Sequence, residues 1–104
     1  MNDLNLNDIK KLLTPAYQRM LDAIIYLGAN VDSVNCVMVT NKEKVLDYLE
    51  QKEGKRPSAM ALRQRVRTIN KTLESEAIPF KIESLKRAYR IIEVINYEYR
   101  QLPN

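Results

Sequence analysis

The sequence predicts an α+β fold, mostly helical, with three main helices and a small antiparallel sheet. Three observations carry this expectation. Apolar residues recur at helical spacing in three separate stretches. A lone β-prone run, Cys36-Val37-Met38-Val39, sits between the first two. Toward the C-terminal end, apolar and polar residues alternate with period two on both sides of a short basic segment. At 104 residues the chain fits one small domain and is too short for a Rossmann-type or barrel enzyme. It divides into an N-terminal arm or short helix (1–13), the domain (14–97) and a polar C-terminal tail (98–104).

The arm holds Leu4, Leu6, Ile9, Leu12 and Leu13, and Asn5 or Asn7 can cap one or two helical turns. A terminus that packs on nothing is usually polar. The arm is therefore expected to cover the domain or to meet a second copy, with Leu4, Leu6, Ile9 and Leu12 contributing to a homodimer.

Thr14-Pro15 starts the first main helix, with Thr14 as its cap and Pro15 at the first helical position, where a missing N–H is harmless. Tyr17, Met20, Leu21, Ile24 and Ile25 form its buried stripe, and Gly28 is expected to cap its end, giving a helix over 15–27. Residues 29–35 read as a polar loop, and 36–39 as a single sheet rung rather than a hairpin. Thr40-Asn41-Lys42-Glu43 has the spacing of a capping box. It opens a second helix that buries Val45, Leu46 and Leu49, has Tyr48 beside that face, and stops at Gly54. Ser58 caps a third helix, 59–75, with a narrow apolar stripe of Leu62, Val66, Ile69 and Leu73. At about 100° per residue, Gln64, Arg67, Thr68 and Lys71 lie on the opposite side, flanked by Arg63, Arg65 and Asn70. Pro79 prevents the helix from continuing. Phe80–Glu83 and Tyr89–Val94 then form a hairpin around Ser84–Ala88. No glycine stands at that tip, so a loop longer than two residues is expected.

Charge is unevenly spread. Residues 55–90 carry ten Lys or Arg against three Glu, a net charge of +7, whereas the other 68 residues net −3. A segregated basic half is the footprint of a polyanion-binding surface; the plainer reading is a solvated face without a partner. The order helix, short strand, helix, basic helix, strand, basic tip, strand is that of a winged helix. Its second and third helices would form a helix-turn-helix pair, and the second of the pair enters the major groove.

With these elements in place, the chain resembles the C-terminal effector domain of OmpR-type response regulators over roughly residues 13–93. Leu13-Thr14-Pro15-Ala16-Tyr17 is similar to that family's helix start, with Tyr17 where an acidic residue is usual. Val39-Thr40 is similar to its strand end and helix cap. Thr68-Ile69-Asn70-Lys71-Thr72-Leu73-Glu74 shares the apolar spacing of its recognition helix, and Leu85-Lys86-Arg87-Ala88-Tyr89-Arg90 keeps the Tyr-Arg of its wing. The resemblance implies a winged-helix DNA-binding module. The chain is too short to include the family's phospho-acceptor domain; if it is a whole protein, the resemblance implies a stand-alone module such as a small bacterial, plasmid or phage regulator, and if it is one domain, the remainder lies outside this sequence.

The expected function is sequence-specific binding of double-stranded DNA in transcription regulation. Replication or partition would use the same surface, and a winged helix that docks a protein partner is the alternative from another class. Arg63, Gln64, Arg67, Thr68 and Lys71 would face base edges and phosphates, because Arg suits guanine and Gln suits adenine in bidentate geometry. Lys86, Arg87 and Arg90 would hold the adjacent backbone or minor groove, and the N–H groups at Thr40–Lys42 a phosphate. The expected partners are duplex DNA and a second copy of the chain, without a membrane or a small-molecule substrate. An enzyme is not expected: there is no His, one Cys and no Gly-rich phosphate loop. Scattered acids such as Asp47 and Glu50 form no carboxylate pair or metal site, so no cofactor or metal is expected. Cys36 reads as a small buried hydrophobe and Tyr89 as wing core. No apolar run approaches the ~20 residues of a membrane span, and no signal-peptide pattern opens the chain, so a cytoplasmic location is expected.

Overall fold

The computed structural model describes residues 9–33 and 36–94. The elements are α1 (Pro15–Leu27), β1 (Ala29–Ser33), β2 (Cys36–Asn41), α2 (Lys42–Glu53), α3 (Ala59–Ser75), β3 (Phe80–Ser84) and β4 (Ala88–Glu93). The four strands make one antiparallel sheet in the order β1-β2-β4-β3, so the fold is α+β. The expectations placed on Leu4, Leu6 and the tail 98–104 fall outside the described residues.

The helical stripes form the core. α1 buries Met20, Leu21, Ala23 and Ile24, α2 buries Val45 and Leu49, and α3 buries Leu62, Val66, Ile69 and Leu73. The sheet adds Ile82, Tyr89 and Ile91, and Cys36 is buried. The arm joins this core: Ile9 is 1% exposed and Leu13 is buried, while Leu12 is exposed. The side-chain amide of Gln18 donates to the carbonyls of Lys10 (2.7 Å) and Leu13 (2.9 Å), and Lys10 pairs with Asp22. Ile9 is therefore a core residue, not the dimer contact expected from its place in the arm.

Residues 29–33 form a strand, not a loop, and pair with β2 through Ala29–Val39 and Asn30–Met38. As an outer strand of the sheet, β1 is held by backbone pairing, which asks little of its polar sequence. The lone rung at 36–39 is longer than expected and lies between this strand and β4, with Thr40 opposite Tyr89 and Asn41 opposite Ala88.

That extension moves a cap by one residue. β2 continues through Asn41, and Asn41 rather than Thr40 caps α2, its side chain accepting from the Lys44 N–H at 3.0 Å. Thr40 turns inward and its hydroxyl donates to the Ile24 carbonyl at 2.7 Å, satisfying an acceptor in the last turn of α1. Thr14 stands at the α1 N-cap but makes no side-chain bond there. Gly28 ends α1 in extended backbone (φ −76°, ψ 154°), not in a left-handed cap. A Cβ at Gly28 would run into the Met38 side chain and come within 2.7 Å of the Ile24 carbonyl oxygen, so this glycine permits close approach of β2 to α1.

α3 begins at its expected cap, Ser58, which accepts from the Ala61 N–H at 3.0 Å. It ends in a Schellman arrangement: the Ile78 N–H bonds the Leu73 carbonyl (2.9 Å) and the Ala77 N–H bonds the Glu74 carbonyl (3.1 Å). Ala77 occupies the left-handed position of that motif at φ 58°. Pro79 follows, and β3 begins at Phe80.

Candidate nucleic-acid interface

α3 presents two unlike faces. The stripe Leu62, Val66, Ile69 and Leu73 is buried, and Arg63, Gln64, Arg67 and Lys71 on the other side are exposed. Thr68 is half-buried at the margin, its carbonyl taking a bond from the Thr72 hydroxyl at 3.0 Å. Two of the expected flanking residues turn away. Arg65 points to α2, and Asn70 bonds the backbone of β3.

The β3–β4 hairpin closes with the Leu85 N–H donating to the Ala88 carbonyl at 2.8 Å. The last β3–β4 pair is Ser84 opposite Tyr89, so four residues, 85–88, make the connection, longer than a primed two-residue turn. Lys86 and Arg87 at this tip are exposed. The Arg87 carbonyl accepts from the Lys42 N–H at 3.1 Å, which fixes the tip against the start of α2. With the Lys42 and Lys44 amides so engaged, the start of α2 is not the open phosphate-binding terminus expected from Thr40–Lys42.

Between the first turns of α2 and α3 and the tip end of the hairpin lies a groove of about 240 Å³, lined by Lys42, Leu46, Pro57, Ala59, Leu62, Arg63, Ser84 and Tyr89. The Lys42 ammonium lies 5.0 Å from the centre of the Tyr89 ring, a cation–π distance. Tyr89 is 3% exposed, and burial raises the pKa of its phenol. The groove places Arg63 on the same side of the domain as the hairpin's tip end.

Ion pairing sorts the basic segment into two sets. Arg56 is enclosed by Glu43 (2.8 Å), Asp47 (2.9 Å) and Glu50 (2.8 Å), which hold its guanidinium in the charged form. These acids recur at i, i+4 and i+7 on one face of α2, and the turn at Gly54 (φ 82°) carries Arg56 back to them. Arg65 grips Glu53 with both guanidinium nitrogens (2.8 and 3.0 Å), and Arg19 of α1 joins at 2.9 Å. The bonds from Arg65 hold the Glu53 carboxyl below the usual carboxylate range, and Arg19 adds to this against an opposing burial effect.

Arg90 differs from the other expected site residues in having an acidic partner. It lies on β4, directly opposite Glu83 of β3, and its Nε donates to the Glu83 carboxylate at 2.7 Å. Its charge is compensated within the β3–β4 hairpin. Arg63, Arg67, Lys71, Lys86 and Arg87 form no ion pair among the described residues, and neither do Lys55 before α3 and Lys81 on β3. The spacing of Glu43, Asp47 and Glu50 was the sequence signal for the Arg56 cluster. The Arg90–Glu83 pair could be read only with the hairpin register known.

Among the described residues, no three of His, Cys, Asp and Glu lie together as metal ligands, and no helix is long and apolar enough to cross a membrane. No protein-family profile, curated protein or solved structure matches the chain.

Proposed function

We propose that this chain is a winged-helix protein that binds duplex DNA sequence-specifically and acts as a transcriptional regulator. The observation that carries the reading is the sorting of its cations. Arg19, Arg56, Arg65 and Arg90 are absorbed into ion pairs that tie elements together. Those on the outward face of α3 and at the hairpin tip are left exposed without acidic partners. Placing uncompensated like charges along one helix and one hairpin tip raises self-repulsion, which a polyanion relieves.

The element order supports the same reading. α2 and α3 form the helix-turn-helix pair, β3 and β4 the wing, and β2 the third strand beside it. A helix with side chains is about 10–12 Å across and the major groove about 12 Å wide, so α3 fits lengthwise. Arg67 and Gln64 would then meet base edges, while Arg63 and Lys71 flank them toward phosphates. Lys86 and Arg87 reach the neighbouring backbone from the wing. One α3 reads few base pairs, so two copies on paired half-sites suit the reading. Ile9, as core, takes no part in that pairing.

The test is a titration of labelled duplex DNA with the full chain over a range of salt concentrations. With about four or five phosphate contacts, the log–log slope of affinity against salt is expected to be roughly −4. Absent binding at low salt, or an affinity flat across the range, would contradict the proposal.

A further inference from the structure

We propose that Met60 is a specificity residue that reads the C5-methyl group of a thymine in the major groove, an inference that rests on the duplex-DNA reading above. Met60 lies in the first turn of α3 and is 69% exposed. At about 100° per residue, Gln64, Arg67 and Lys71 all fall within about 40° of it around the helix axis, and Arg63 within about 60°. It therefore stands at the centre of the outward face, nearly opposite the Leu62, Val66, Ile69 and Leu73 stripe.

That position is unusual for its chemistry. The other side chains within about 60° of it are polar, Arg63, Gln64, Arg67 and Lys71 with Glu74 and Ser75 at the far end of the helix, and Met60 is the one large apolar side chain there. Its exposed area adds nothing to the core. The remaining exposed large apolar residues, Leu12, Tyr26 and Leu85, lie outside α3.

An apolar group amid hydrogen-bonding cations suits a target that presents both kinds of feature side by side. The major-groove floor does so: guanine and adenine offer acceptors to Arg and Gln, and thymine alone among the bases offers a methyl group. The N-terminal residues of a recognition helix are those that approach base edges most closely. A thioether chain is unbranched and adaptable, so it can settle against a methyl without demanding a hydrogen bond of its own.

The experiment uses the full chain and a duplex site enriched from a random library. Each thymine of the site is replaced in turn by uracil, which removes only the methyl group. For the wild-type chain, one uracil position is expected to weaken binding about fourfold, the size for one buried methyl. In Met60→Ala that penalty should vanish at the same position, whereas Met60→Leu should retain most of it. Side-chain exposure at this site means both variants keep the fold, and a thermal unfolding curve checks that. Wild-type indifference to uracil at every position, or an undiminished penalty in Met60→Ala, overturns the inference while leaving duplex binding intact. If no duplex is bound at all, the underlying reading fails and this inference fails with it.

Discussion

Asn70 on α3 and Ile82 on β3 exchange two hydrogen bonds: the Asn70 amide donates to the Ile82 carbonyl at 2.9 Å, and its oxygen accepts from the Ile82 N–H at 2.8 Å. β3 is an edge of the sheet, and an edge strand leaves a row of backbone groups unpaired. Asn70 takes the place of a neighbouring strand at Ile82 and ties the β3–β4 hairpin to the helix that bears the exposed cations. Asn70→Ala is expected to destabilise the protein by about 2 kcal/mol, because two partly buried bonds are lost and two backbone groups are left without partners. A denaturant titration should show a lower midpoint at unchanged slope, with faster hydrogen exchange at the Ile82 amide. An unchanged midpoint would show that the pair does not hold the hairpin.

The end of α3 predicts a stabilising substitution. Ala77 sits at φ 58°, where a Cβ costs roughly 1–2 kcal/mol, and glycine removes that cost while adding chain entropy to the unfolded state. Ala77→Gly should therefore raise stability by about 0.5–1 kcal/mol, read from chemical denaturation. Ala61→Gly, in the first turn of α3, should instead destabilise, since glycine costs up to about 1 kcal/mol relative to Ala within a helix.

Glu53 predicts an acid limb. Its carboxyl is held below its ordinary value in the folded chain, chiefly by Arg65. A lowered folded-state pKa contributes stability that is complete above the unfolded value, near 4.3, and is lost as pH falls through the folded one. Glu53→Gln should cost about 1–2 kcal/mol near neutrality. It should also flatten the fall in stability below about pH 4.5. If wild type and variant lose stability in parallel over that range, Glu53 is not the group responsible.

Helix and wing should fail differently. Arg67→Ala is expected to cost about 1–3 kcal/mol and to relax base preference at one position, since its side chain stands on the outward face of α3. Arg87→Ala at the hairpin tip should weaken all sequences about equally. Arg90→Ala should change binding less than Arg87→Ala, because Glu83 already compensates that charge. Identical profiles for Arg67→Ala and Arg87→Ala across a site library would refute the division of roles.

Much of this architecture could be read from the chain because local signals and packing agree. The α3 stripe, its Ser58 cap, the Gly54 stop and the alternation in β3 and β4 each have one dominant cause acting over a few residues. The misreadings share another origin. β1 is held by pairing with β2, and its short alternation, Ala29 and Val31 against Asn30 and Asp32, offers only one sizeable apolar side chain. Thr40 and Asn41 are both competent caps, and only the length of β2 decides which one faces the helix. Ile9 is buried in an arm that Gln18 ties to α1 through the Lys10 and Leu13 carbonyls, contacts that periodicity does not reveal. On the candidate site, helical phase alone separated exposed Arg63, Gln64 and Arg67 from the buried stripe. Which cations were already neutralised depended on partners in other elements.

The central claim, that α3 and the wing read duplex DNA, is tested most directly by selecting bound sites from a random duplex library with the full chain. The account predicts enrichment of one motif, read by α3 and lost when Arg67 and Gln64 are both replaced by Ala. Recovery of sequences no different from the input library, under salt conditions where the chain binds the pool, would contradict it.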